Sequence, residues 1–200
     1  MSPTARAGMR PAGTSPMPTR WRHLSGVAAT VIVLVTLVGC STPTKGATVD
    51  TALTQTAAQT RMVELLAGSL VGFPATASLD VANPRAPQNP FQTRTTAPCN
   101  DNDTTSSGPV NLGMSRWVVD GTPPHPAGDV ATVAATWSAA GWSVQSRSDG
   151  SAVVTTGDGY TLDASTSKQG DLSIAAGSPC FPRPTTAGPS APAVIPHPAS

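Results

Sequence analysis

The sequence predicts an α+β domain, in which an antiparallel β-meander of about four to five strands is covered by two helices and tied by one disulfide. Three observations predict it: two segments with apolar residues at helical spacing, a later series of alternating strands separated by turn signals, and a cysteine pair. The 200 residues include 18 glycines and 21 prolines, a share well above the usual ~12%. We therefore expect one domain flanked by unpacked segments.

The first helix follows from an apolar series at near 3.6-residue spacing, with Thr48 or Asp50 as its cap and Gly68 or Gly72 at its end. The apolar positions of this series are Val49, Leu53, Ala57, Val63, Leu66 and Leu70. Residues 75–81 are compatible with a strand, but the prolines up to position 90 predict loop around it.

The second helix follows a strand at Leu112–Asp120, which carries Trp117-Val118-Val119. Its apolar stripe consists of Val130, Val133, Trp137 and Ala140. Gly141 stands where a helix C-cap belongs.

The remaining strands form the meander. Alternating residues run through 142–146, 152–156, 160–164 and 172–176. The intervening turns are Asp149-Gly150, Asp158-Gly159 and Gln169-Gly170. Asp-Gly between alternating runs is a strong hairpin signal.

The N-terminus has the plan of a secretory signal peptide: basic residues without any acid, then an uncharged apolar run from Leu24 to Val38. The run ends in Leu37-Val38-Gly39-Cys40, which is similar to the lipobox of bacterial lipoproteins. That resemblance implies cleavage before Cys40 and a diacylglycerol thioether on its sulfur. The rival interpretation is a transmembrane helix, because the uncharged stretch continues to Thr44, but its strongly apolar part is shorter than the ~20 residues that span a bilayer. Met9 and Met17 are alternative starts.

These features divide the chain into a signal peptide (1–39), a lipidated tether (40–48), an extracytoplasmic domain (49–184) and a disordered, proline-rich tail (185–200). Eight basic and eleven acidic residues follow position 39. This mildly acidic balance predicts no nucleic-acid binding and no polybasic attraction to anionic lipid. We therefore expect the lipid on Cys40 to be the only contact of the chain with the membrane.

The two other cysteines, Cys99 and Cys180, predict a disulfide, because an exported domain folds in an oxidising compartment. The rival is a metal pair, but neither residue has a neighbouring Cys or His. We expect no metal site and no cofactor.

The layout resembles the small lipoproteins of actinobacteria, especially those of mycobacteria. Among these, it is most similar to the LppA-like lipoproteins. The matching features are Cys40, Cys99-Asn100 in a mid-chain loop, the Met114–Val119 strand and Ser178-Pro179-Cys180. The resemblance implies a cell-membrane address on the extracytoplasmic face and a fold, but no biochemical activity.

Candidate catalytic groups each have a simpler explanation. His125 lies between two prolines with no nucleophile elbow in the sequence, and His197 lies in the tail. Glu64 is spaced to pair with Arg61 on the first helix. Asp158 and Asp163 suggest paired carboxylates across a hairpin, yet Asp158 is already explained by its turn. We assign no catalytic residue.

Two further patterns concern ligands and modification. Asp101, Asp103 and Thr105 have the spacing of the first calcium-loop ligands, but the loop lacks its glycine and its bidentate glutamate. Asn102 fits a glycosylation acceptor, and the Thr- and Pro-rich segments 41–44 and 185–189 are candidates for O-linked sugar.

The tryptophans bear on ligand binding. Trp137 and Trp142 are predicted to be core residues, whereas Trp117 and Tyr160 are candidate ligand-lining residues if the space between helix and sheet is unfilled. The sequence thus favours a non-enzymatic binding or interaction module of the envelope. The alternative is a small carrier of lipid or another apolar ligand, and the third hypothesis is a cell-wall hydrolase.

Overall fold

The computed structural model describes residues 48–83, 85–100, 106–119 and 126–198, with the side chains of residues 126–128 excepted. These residues form two helices, α1 (Gln55–Gly68) and α2 (Pro126–Ala139). They also form eight strands: β1 (Ser78–Asp80), β2 (Thr95–Pro98), β3 (Val110–Val119), β4 (Gln145–Ser146), β5 (Ala152–Thr155), β6 (Thr161–Thr166), β7 (Leu172–Gly177) and β8 (Val194–Pro196). The α+β class is confirmed. In this part of the chain no helix combines the length and apolarity needed to cross a bilayer.

Helix α1 begins later than its apolar pattern predicts. Thr54 is its N-cap, and the Thr54 hydroxyl accepts a 3.2 Å hydrogen bond from the Ala57 amide. Val49 instead forms a parallel bridge with Cys180. The carboxylate of Asp50 accepts hydrogen bonds from the amides of Ala52 and Leu53, so Asp50 forms a turn before the helix rather than its cap. The predicted end at Gly68 is confirmed.

Helix α2 follows its prediction except at its end, because Ala140 lies beyond the last helical residue, Ala139, and is exposed. Val130, Val133 and Trp137 are buried along one stripe. Gly141 has φ +84°, and its amide donates to the Ser138 carbonyl at 2.9 Å. This left-handed position after the helix explains the glycine at the predicted cap.

The sheet has the strand order β4-β5-β6-β7-β3-β1-β8, with β2 paired to β3 beside β1, and every pairing is antiparallel. The β4–β7 part is the predicted meander. Its turns place Gly150, Gly159 and Gly170 at φ between +82° and +85°, where glycine is favoured. The described sheet is larger than the four to five strands expected from the sequence.

The prediction that the C-terminal tail is disordered is wrong for the residues that the structure describes. Residues 185–198 run along the domain, and β8 pairs with β1 in the register Leu79↔Ile195. Ala191 and Ile195 are 5% and 1% exposed. The composition suggested disorder because the tail has few large apolar groups, but the body of the domain binds the tail's backbone carbonyls through arginine and glutamine side chains.

The core lies between the two helices and one face of the sheet. Side chains from α1, α2 and the central strands fill it, with Trp137 and Phe181 among the largest fully buried groups. The predicted bridge between Cys99 and Cys180 is formed, with the two Cα atoms 6.1 Å apart. It joins the end of β2 to the segment after β7.

Candidate interaction surface

The sheet has a face opposite the two helices, which we call the outer face. Because side chains alternate along a strand, residues between the core positions of β3 and of β5–β7 point to this face. Its members are Asn111, Gly113, Ser115, Trp117, Val153, Thr155, Thr161, Asp163, Ser165, Ser173, Ala175 and Gly177. Most of them are small or neutral and polar.

The end of the outer face opposite Trp117 contains two glycines. Gly113 and Gly177 are direct cross-strand neighbours. A Cβ atom on Gly113 would lie 2.6 Å from the Thr95 hydroxyl, and one on Gly177 would lie 2.7 Å from the Thr161 hydroxyl. The threonine side chains therefore lie over the glycine backbone, and a larger residue at either glycine would push them aside.

Trp117 closes one end of this face. Its ring stacks on Phe91, with centroids 4.7 Å apart and planes at 15°. The Trp117 indole N–H is buried and has no hydrogen-bond partner among the described residues. Arg85, from the same loop as Phe91, binds the Asp171 carboxylate through Nε at 2.6 Å and the Gln169 carbonyl through Nη2 at 3.1 Å. The loop between β1 and β2 thus covers the Trp117 end and leaves the Gly113 end open.

The prediction that Trp117 and Tyr160 line one space is wrong. Tyr160 is 4% exposed within the core cluster, on the helix side of the sheet. Trp117 belongs to the other face because it is out of phase with the buried positions Met114 and Arg116 of the same strand. The two rings therefore lie on opposite sides of the sheet.

The paired-carboxylate hypothesis also fails, because each acid binds a different arginine. Asp158 accepts a 2.8 Å hydrogen bond from Arg61 Nε, and Asp163 accepts one of 3.1 Å from Arg147. Burial tends to raise the pKa of Asp158, but hydrogen bonds from Thr156 and Arg61 outweigh it and lower that pKa. Burial raises the pKa of Asp163, against the charge of Arg147.

The predicted surface pair of Arg61 and Glu64 is confirmed, at 3.2 Å. His197 is held at the end of β8, half-buried, with Nδ1 2.8 Å from the Pro198 carbonyl oxygen. Cys40, His125 and the loop 101–105 lie outside the residues that the structure describes, so the predictions about them stay predictions. Within the ranges that the structure covers, no group of three or more His, Cys, Asp or Glu side chains is arranged to hold a metal ion.

A second surface feature is an open apolar cleft of about 480 Å³ between the C-terminal parts of α1 and α2. Its lining is made of small or apolar residues: Gly68, Val71, Gly72, Ala135, Thr136, Ala139 and Ala140. Val71 is 63% exposed, which is unusual for an apolar side chain in this domain. A Cβ atom on Gly72 would lie 2.7 Å from Thr132 Cγ2, so the glycine permits the close approach of the chain to α2.

Sequence reasoning missed the role of Arg116. The residue is fully buried, and its guanidinium donates to the carbonyls of Ser115, Thr93 and Pro192. The signal was present in the sequence, since Arg116 is in phase with the core positions Leu112 and Met114 on one strand. Burial lowers the pKa of Arg116, and the nearby charge of Asp80 opposes this.

Comparison of the chain with protein-family models, with curated proteins and with solved structures gave no match.

Proposed function

We propose that this chain is a lipid-anchored protein of the bacterial envelope, which presents a non-enzymatic interaction domain on the extracytoplasmic side of the cell membrane. The basic N-terminal residues, the apolar run and Leu37-Val38-Gly39-Cys40 in this order support the anchor. From Cys40 to Val49 the chain extends at most ~30 Å. The domain would therefore act on partners at or near the membrane surface.

The anchor is tested by the substitution Cys40→Ser in the full-length chain, expressed in an actinobacterial host. The unsubstituted protein should fractionate with membranes and have the mass of residues 40–200 plus a diacylglycerol and any amide-linked acyl chain. The serine variant should lose both properties. An unsubstituted protein whose mass is accounted for by polypeptide alone would contradict the anchor.

The observation that carries the interaction role is the asymmetry of the sheet. In the described part of the domain, both helices pack on one face, while the outer face presents mostly small neutral side chains, with the Gly113 and Gly177 pair at the end opposite Trp117. Such a surface permits close contact with a flat partner at a small cost in side-chain entropy. The partner we infer is therefore a flat, largely uncharged surface of another envelope component.

The outer face is tested by placing a photo-reactive phenylalanine analogue at Ser115 in the full-length protein in cells. The matched control carries the same group at Ser148, an exposed residue of the β4–β5 turn. We expect a discrete cross-linked species from position 115 only. Equal cross-linking at both positions, or none at position 115, would contradict docking through this face.

The apolar cleft supports a second candidate, the small carrier of an apolar ligand. Its volume and lining suit an acyl chain or a comparable group. Native mass spectrometry on the secreted full chain should then detect a retained non-covalent mass. The substitution Ala139→Trp, which fills the cleft, should remove that mass, whereas Ala131→Trp on an exposed position of the same helix should not.

A further inference from the structure

The C-terminal segment lies in a groove that binds its backbone carbonyls through side-chain donors of the domain. We call residues 189–196 the terminal strap. Arg94 donates to the Pro189 carbonyl at 3.0 Å, Gln59 to the Ser190 carbonyl at 3.3 Å, and Arg116 to the Pro192 carbonyl at 2.6 Å. These three donors come from the loop before β2, from α1 and from β3.

Two apolar side chains and a short ladder complete the contacts of the terminal strap. Ala191 and Ile195 are almost fully buried. Ile195 pairs with Leu79 in the register of β8 on β1, and both belong to the core cluster. These contacts join the strap to the body of the domain, so a strap of identical sequence from another molecule satisfies the same donors and the same pockets.

The connection between the body and the strap is the feature that permits such an exchange. Residues 182–188, which we call the hinge, contain no helix or strand, and most of them are exposed. The chain bends at Thr185 and Thr186, between Pro184 and Pro189. Proline-rich segments favour extended conformations of ~3.1 Å per residue, so opening this bend directs the strap away from its own groove.

We propose that two copies of this chain exchange their terminal straps, with β8 of each copy pairing with β1 of the other. Strand exchange of this kind reuses every contact of the closed monomer and changes only the hinge. The closed form is favoured at low concentration because its strap is tethered to its own groove. The exchanged dimer is favoured where copies are concentrated or where the hinge cannot fold back. This inference does not depend on the lipid anchor.

A pair of cysteines across the β1–β8 ladder tests the exchange. Asp80 and Val194 are direct cross-strand partners. Full-length chains with Cys40→Ser, to remove the third cysteine, are co-expressed as two differently tagged variants: one with Asp80→Cys and one with Val194→Cys. We expect a disulfide-linked heterodimer carrying both tags. Both substitutions in one chain should give an internal bridge in the monomer and establish that the register is correct.

The matched control replaces Asp80→Cys by Asp163→Cys, which places the thiol on the outer face of β6, away from β8. The proposal is overturned if the double variant forms its internal bridge but the Asp80→Cys and Val194→Cys mixture gives no more heterodimer than this control.

A change in hinge length provides a test without added cysteines. Short hinges under strain promote strand exchange. Deletion of residues 185–188 should therefore raise the dimer fraction at least threefold in sedimentation at equal concentration. Insertion of four Gly or Ser residues after Thr186 should lower it. A deletion variant that folds and stays as monomeric as the unmodified chain would overturn the proposal.

Discussion

The guanidinium of Arg116 and the carbonyl of Pro192 hold the C-terminal segment against the sheet. Arg116 Nη2 donates to this oxygen at 2.6 Å and to the Thr93 carbonyl at 2.9 Å. One fully buried side chain on β3 thus joins two segments that lie far apart in the sequence. This arrangement requires a long, multiply donating side chain, because a lysine could not present the same planar set of donors.

Replacement of Arg116 by methionine should lower the free energy of unfolding by about 2–4 kcal/mol, since the carbonyls of Thr93 and Pro192 would be left without partners. Urea denaturation of the two proteins measures the difference. The control is Arg147→Met, which breaks the exposed pair with Asp163 and should cost less than about 1 kcal/mol. Equal losses in the two variants would show that the buried hydrogen bonds of Arg116 stabilise the fold no more than an exposed ion pair does.

The same residue shows where sequence reasoning succeeded and where it failed. The meander could be predicted because alternation and left-handed glycines act locally: Gly150, Gly159 and Gly170 each close a short turn between neighbouring strands. Arg116 shares the alternation of Leu112 and Met114, yet its partners at positions 93 and 192 are too distant in sequence for any local pattern to indicate.

Strands β2 and β8 were not predicted from the sequence, and the reasons are related. All four residues of β2 are exposed, so Thr95–Pro98 has no apolar alternation to detect. Strand β8 has three residues, and its single buried side chain is Ile195.

The outer face was not predicted as a unit, because a surface of Ser, Thr, Gly and Ala gives no signal until the strand order places those residues together. Trp117 was assigned to the wrong face because its burial comes from Phe91, which lies in a proline-rich loop.

Ser69 and Trp137 connect α1 to α2 through a buried hydrogen bond. Trp137 Nε1 donates to Ser69 Oγ at 2.9 Å, and Ser69 Oγ donates to the Leu65 carbonyl at 2.9 Å. The substitution Ser69→Ala leaves the indole N–H buried without a partner, so we expect a loss of about 1–3 kcal/mol. Thermal or urea unfolding measures it.

A double-mutant cycle separates this hydrogen bond from packing. In a Trp137→Phe background the indole N–H is absent, and Ser69→Ala should then cost clearly less than in the unmodified chain. If Ser69→Ala costs the same in both backgrounds, the bond to Trp137 contributes nothing to stability.

The disulfide should stabilise the domain strongly, because it closes a segment of 81 residues between Cys99 and Cys180. We expect reduction to lower the free energy of unfolding by about 2–5 kcal/mol. The double variant Cys99→Ala/Cys180→Ala should match the reduced protein and should not respond to reductant. A reductant effect of equal size in that variant would show that the loss has another origin.

Asp158 and Asp163 should respond to acid with opposite signs. The pKa of Asp158 is lowered, so between its folded value and the unfolded value of ~3.9 the unfolded state binds more protons. Its stabilising contribution is present above about pH 4 and is lost as the pH falls through the folded pKa. The difference in stability between the unmodified chain and Asp158→Asn should therefore shrink below pH 4.

The pKa of Asp163 is raised by burial, so the folded state binds the proton more tightly. Relative to Asp163→Asn, the unmodified chain should lose stability as the pH rises from ~4 through the folded pKa of this group. Carbon NMR titration of the two carboxyl groups, together with unfolding measured at several pH values, gives both the order of the pKa values and the sign of each effect. A titration of Asp158 at higher pH than Asp163 would contradict the hydrogen bonds from Thr156 and Arg61 to Asp158 and the burial of Asp163 as the causes of the two shifts.

Gly150 gives a test of backbone strain with little interference from packing. Its φ is +82°, and a Cβ atom built on it would meet nothing within 4 Å. The substitution Gly150→Ala should therefore cost about 1–2 kcal/mol, through the left-handed conformation alone. Gly157 is the matched control, because its Cβ position is equally open and its φ lies outside the left-handed region. Gly157→Ala should be neutral or slightly stabilising, since alanine reduces the conformational freedom of the unfolded chain. Equal effects of the two substitutions on the midpoint of urea unfolding would contradict the turn geometry at β4–β5.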